Sequence, residues 1–257
     1  MSDPPQTEHE QTSLPMAPES FIQGQADRRA AAFFDVDGTL VRTTIVHYYA
    51  YFRRAGMSRW TRRLWSTAFL GRCLVYLILD KIDRSWFNRV FYRNYGGMSA
   101  GDVRGRVESC FQDIIHPNLY PAGCACVEQH RREGLDVVLV TGSIDFLMEP
   151  LARELGVEHV VAPRLVERDG RFTGELDGPP IGEAEKARRI RQYAADHDID
   201  LARSFAYGDS VADLPMLESV GRPVAINPDR ALAAVARKRG WTVLHWQLDG
   251  SNGLGRS

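Results

Sequence analysis

The stretch AAAFFDVDGTLV, residues 30–41, decides the architecture of this chain. Its first five residues are uniformly apolar, without the alternation of a half-exposed strand. That pattern suits a central parallel strand buried on both faces. Two carboxylates, Asp35 and Asp37, follow in an acidic loop at the carboxyl end. In open parallel sheets the ligand site lies outside the carboxyl ends of the strands. From Pro121 onward the sequence alternates in the same way. Helices are expected over 121–133, 145–155, 183–197, 213–219 and 229–239. Strands are expected at 137–140, 159–162, 205–207, 223–226 and 242–245. Asp169-Gly170 marks the turn of a β-hairpin over 165–174. Alternating strands and helices predict an α/β fold, a Rossmann-like parallel sheet with helices on both faces.

Residues 45–115 differ in kind. They lack proline, are rich in aromatics and arginine, and place Tyr48, Tyr49, Phe52, Trp60, Leu64, Phe87, Phe91 and Tyr95 at helical spacing. They read as an all-helical cap inserted into a discontinuous core of residues 30–44 and 116–246. Residues 1–29 and 247–257 read as tails, the first disordered, polar and acidic and without the basic and apolar regions of an export signal.

The whole chain of 257 residues is 44% hydrophobic and 25% charged with a net charge of −1, which excludes a disordered or globally basic protein. The regional balance says more. Residues 42–115 carry thirteen basic and five acidic side chains, a net +8, between flanks of −5 and −4. Such asymmetry predicts anionic partners for the insert. The run Trp60, Arg62, Arg63, Trp65, Phe69, Arg72, Tyr76 fits peripheral contact with anionic lipid, the alternative being aromatics packed inside the insert with arginines outside. No nucleic-acid reader motif is present. Four cysteines without metal-ligand spacing suit reduced thiols in a cytoplasmic protein. Oligomeric state is not legible.

The polar residues at strand ends and helix starts form a set: Asp35 and Asp37, then Thr141-Gly142-Ser143, then Lys186, then Gly208-Asp209 with Asp213. Carboxylates brought into one crevice repel one another unless a cation is present. All-oxygen donors beside a phosphate site suit Mg²⁺. A threonine hydroxyl, a glycine amide and an ammonium opposite them suit a phosphoryl group. Together these residues point to phosphoryl transfer.

The strings FFDVDGTLV, VLVTGS, GEAEKARRI and YGDSVADLPML resemble the four motifs of the haloacid dehalogenase (HAD) superfamily. The insert after the first motif and the closing AINPDRALAAVARKRGW resemble its phosphoserine-phosphatase-like subfamily, IB. The resemblance implies a phosphatase with Asp35 as nucleophile, Asp37 as general acid and base, and Lys186 as charge neutraliser. It implies Mg²⁺ on Asp35, on the Asp37 main-chain carbonyl and on Asp209. Thr141, Gly142 and Lys186 would bind the phosphoryl group of a small phosphorylated substrate, with Asp213, Ser143 and Asn227 behind them. The substrate would be a metabolite or a lipid. Two features depart from the phosphoserine enzymes. Thr44 stands nine residues after Asp35, where they carry a Glu for the substrate ammonium, and Ala212 stands where they tend to have Asn. Phosphoserine hydrolysis therefore stays an alternative, as do transfer to an acceptor other than water and a non-catalytic binding role.

Overall fold

A computed structural model describes residues 29–82, 84–249 and 252–254. Strand β1 (Ala31–Phe34) is fully buried and pairs in parallel with β2 (Asp136–Val140) on one side and β6 (Phe205–Gly208) on the other. The alternation along β1 divides the core. Phe33 lies on one face with Val138, Ile190 and Tyr193, and Phe34 on the other, stacked on Tyr207 at 4.3 Å between centroids. Such rings, with the aliphatic side chains around them, bury apolar area that holds helices to both faces. With β3 (His159–Val161), β7 (Arg222–Ile226), β8 (Thr242–Trp246) and β9 (Asn252–Leu254), the sheet runs β3-β2-β1-β6-β7-β8-β9. All neighbours are parallel except β8 and β9. The order reverses at β1, so the crevice beside its carboxyl end is the switch point.

Helix ends follow the expected signals. Helix α7 (Asp145–Leu155) stops at Gly156 and α10 (Arg230–Arg239) at Gly240, each glycine left-handed. Pro121 opens α6 (Pro121–Arg132) at a position where its missing N–H costs nothing. Asp169 and Gly170, both with positive φ, turn the hairpin of β4 (Leu165–Arg168) and β5 (Arg171–Leu176). Two local expectations change. The helix foreseen over 213–219 is a 3-10 turn at Val211–Asp213 followed by α9 (Leu214–Leu217). Residues 252–254, read as part of a loose C-terminal tail, add β9 to the sheet edge. Of the first tail, only Arg29 is described, and the rest of it lies outside the described residues.

Between β1 and β2 the chain is helical: α1 (Ile45–Arg54), α2 (Arg59–Ile82), α3 (Arg84–Tyr92), α4 (Ala100–Arg104) and α5 (Val107–Cys110). Tyr49 centres its packing, with Phe69, Phe91 and Tyr95 at ring distances of 5.6, 5.6 and 5.2 Å. The hairpin pins the cap to the core. Gly97 N donates to Phe172 O at 2.8 Å, and Phe172 N to Met98 O at 3.0 Å. Among the described residues no helix is long and apolar enough to cross a membrane. Cys110, Cys124 and Cys126 are free.

Candidate active site

Two polar clusters meet beyond the carboxyl end of β1. The first is an ion-pair network. Helix α8 (Glu183–Asp196) places Lys186 in its first turn, buried. Its Nζ donates to Asp35 Oδ1 at 2.5 Å and to Asp213 Oδ1 at 2.7 Å. Thr39 Oγ1 donates to the other Asp35 oxygen at 3.0 Å. Asp213 Oδ2 accepts from Ser210 Oγ at 3.2 Å and from the amides of Asp209 and Ser210 at 3.3 Å. Both oxygens of Asp213 are therefore engaged by protein groups. Burial pushes the Asp35 carboxyl up to about 6 although Lys186 pulls it down, and the Asp213 and Asp37 charges add to the rise. Burial also disfavours the Lys186 ammonium, but Asp213 and Asp35 outweigh that and hold it well above the usual lysine range.

Oxygens of Asp35, Asp209 and Asp213 lie within 4.8 Å of one another. Three carboxylates against one ammonium leave negative charge for a dication, and an all-oxygen donor set suits Mg²⁺. Glycine permits the approach. Gly38 has φ +99°, and a Cβ there would fall 2.2 Å from Asp209 Oδ2. A Cβ on Gly208 would fall 2.6 Å from that of Asp213.

The second cluster surrounds Asp37. Its Oδ2 accepts from Ser143 Oγ at 2.6 Å and Thr141 Oγ1 at 3.3 Å, both beyond the end of β2. Its Oδ1 accepts from Tyr48 OH at 2.7 Å and Thr43 Oγ1 at 3.5 Å. Tyr48 and Thr43 also hydrogen-bond each other. Burial, reinforced by the charge of Asp37, holds the Tyr48 phenol well above its usual range, so it is a neutral donor. With its side chain committed to hydroxyls, Asp37 has only its main-chain carbonyl to offer a metal.

Of the residues expected at the site, Asp35, Lys186, Asp209 and Asp213 converge, as do Asp37, Thr141 and Ser143. Gly142 sits between β2 and the cap. Its carbonyl accepts from Tyr92 OH at 2.5 Å, and Asn88 Nδ2 would lie 3.0 Å from a Cβ there. Asn227 binds backbone. Its side-chain amide donates to Trp246 O at 3.1 Å and accepts from Trp246 N at 3.0 Å, tying the end of β7 to β8. Tyr48, Thr43, Thr39, Tyr92 and Asn88 were not foreseen. A tyrosine at helical spacing carries the same apolar signal as a phenylalanine, so nothing local reveals where its hydroxyl points.

The family model of haloacid dehalogenase-like hydrolases matches residues 32–218. An inhibition of morphological differentiation protein of Streptomyces azureus is 37% identical over 87% of this chain and 80% of its own length. A phosphoserine phosphatase of Mycobacterium tuberculosis is 31% identical over 88% of this chain and 74% of its own. Among solved structures, a Bordetella pertussis protein of unknown function superposes with a TM-score of 0.72 at 30% identity, over 84% of this chain and 98% of the other.

Proposed function

Because the chain belongs to the haloacid dehalogenase-like hydrolases and a phosphoserine phosphatase is among its relatives, we propose that it is a Mg²⁺-dependent phosphomonoesterase that works through phosphorylated Asp35. The observation that carries this reading is the Lys186 ammonium clamped between Asp35 and Asp213. Asp35 attacks phosphorus, and the bond from phosphorus to the ester oxygen breaks. Asp37 gives its proton to the departing alkoxide. It then takes a proton from water, whose oxygen attacks phosphorus, releasing phosphate and restoring Asp35. Lys186 offsets negative charge as the phosphoryl group approaches Asp35. Thr141 and Gly142, at the end of β2, bind the phosphoryl oxygens in this reading.

Asp35, Asp209 and the Asp37 carbonyl would hold Mg²⁺, with Asp213 orienting the group. Bound there, the ion would withdraw charge from the phosphoryl oxygens and relieve repulsion among the carboxylates.

The substrate is a phosphorylated metabolite or lipid. Thr44, nine residues after Asp35, is an exposed cap of α1, with both its hydroxyl and its amide directed at His47 Nδ1, at 3.0 and 3.2 Å. It supplies no carboxylate for a substrate ammonium, which argues against phosphoserine. The likeness to a phosphoserine phosphatase keeps that second reading in play. The test is hydrolysis of a generic aryl phosphate with Mg²⁺ and in excess chelator, by the protein and by Asp35→Asn. Metal-dependent turnover lost in the folded variant is expected, and turnover retained in either control contradicts the proposal. A panel of phosphoserine, sugar phosphates and lysophosphatidate then separates the substrate classes.

A further inference from the structure

We propose that the outward face of α2 docks this protein onto an anionic lipid surface. Over residues 60–70, helix α2 is apolar on two opposite sides. Inward, Trp65 and Phe69 stack on each other at 4.6 Å and pack against Tyr49. Outward, Trp60, Leu64 and Leu70 are 79%, 75% and 67% exposed. At about 100° per residue, Leu64 and Leu70 project within roughly 80° of Trp60, while Trp65 and Phe69 project roughly 140–180° away. The only other large hydrophobic side chain with comparable exposure among the described residues is Val211. The exposed apolar surface is therefore concentrated on one helix rather than scattered, and scattered exposure is the pattern that needs no explanation.

Charge identifies the occupant. Between Asp37 and Asp80 the sequence holds seven arginines, no lysine and no acidic residue. Arg53, Arg54, Arg59, Arg62 and Arg63 are exposed around the same stretch, and Arg63 lies over the Trp60 ring at 5.9 Å. None of these five arginines is paired with an acidic residue from its own stretch of sequence, which has none. Exposed Trp and Leu side chains interleaved with arginines are the composition of a helix lying in a membrane interface. Anionic headgroups supply the complementary charge. A second copy of the chain does not, because pairing this face with itself would stack arginine on arginine. The contact is peripheral, since no helix among the described residues can span a bilayer.

The test uses the full chain with vesicles of phosphatidylcholine, with and without phosphatidylglycerol, read by co-sedimentation and by tryptophan fluorescence. Binding to the anionic vesicles, falling with added salt, is expected. Arg59→Gln and Arg63→Gln should each weaken it about fivefold. The triple variant Trp60→Ser, Leu64→Ser, Leu70→Ser should abolish the fluorescence shift. All of these variants should keep wild-type turnover of a soluble aryl phosphate, since none touches the carboxylate cluster. Absence of binding, equal binding to uncharged vesicles, or a Trp60-dependent dimer in sedimentation velocity would overturn the proposal. None of the binding and sedimentation readouts depends on catalysis, so their failure leaves the phosphatase reading intact, and the reverse holds too.

Discussion

Replacing Tyr48 by Phe removes one hydroxyl that joins the cap to Asp37 and keeps the ring that fills the space. The lost bond, 2.7 Å to Asp37 Oδ1, is buried at both ends. Hydrogen bonds to charged groups contribute about 1.5–3 kcal/mol. Ser143 Oγ remains on Oδ2 at 2.6 Å and Thr43 Oγ1 can close on Oδ1 from 3.5 Å, so the low end applies. That corresponds to about a tenfold fall in kcat when proton transfer by Asp37 limits the rate. An alkyl phosphate, whose leaving oxygen needs the proton, should show the full loss. An aryl phosphate, whose leaving oxygen needs it less, should lose only about two- to threefold. A stability cost of about 1.5 kcal/mol should lower Tm by about 3–6 °C. The assay is steady-state kinetics of both proteins on both substrates, with melting curves alongside. Equal losses on the two substrates would refute the reasoning, because Tyr48 would then merely hold the cap in place. Unchanged kinetics on both would refute it as well.

Gly38→Ala should leave a folded protein with metal affinity reduced about tenfold or more, because the new Cβ meets Asp209 Oδ2 at 2.2 Å. A Mg²⁺ titration of activity checks this, and an unchanged half-saturation point would contradict it. Lys186→Met leaves Asp35 and Asp213 without their shared cation, and kcat should drop by about two orders of magnitude; a drop under tenfold would show that the clamp is not used in the reaction. In the metal-free protein Asp35 is raised from 3.8 to about 6. Its contribution to stability is complete below 3.8 and is lost as pH rises through about 6. A cation needs the ionised carboxylate, so Mg²⁺ should raise Tm more at about pH 7.5 than at about pH 5. An equal rise at both would place the metal away from Asp35.

The sheet was legible because its signals are local. Uniform apolar runs in β1 and β2, the left-handed glycines at 156 and 240, and Asp169-Gly170 each act within a few residues. The ion-pair network was legible for a different reason. Strand ends converge in a parallel sheet, so polar residues at those ends meet even when Asp35 and Lys186 are 151 positions apart. Asn227 also ends a strand, and there the side-chain amide is spent on the backbone of Trp246. The contribution of the cap was invisible. Helical periodicity marks Tyr48 as apolar but cannot say that its hydroxyl reaches Asp37, and it does not single out Tyr92, whose hydroxyl reaches Gly142. Such contacts depend on how the cap sits on the sheet, and that is set by the hairpin around Phe172 and Met98 rather than by any local motif.

The central claim is that Asp35 carries the phosphoryl group during turnover. Acid quenching of the protein during hydrolysis of a radiolabelled phosphomonoester, followed by peptide mapping, tests it directly. The account predicts acid-stable, hydroxylamine-sensitive label on the peptide containing Asp35, absent from Asp35→Asn. Turnover without label, or label on a different residue, would contradict it.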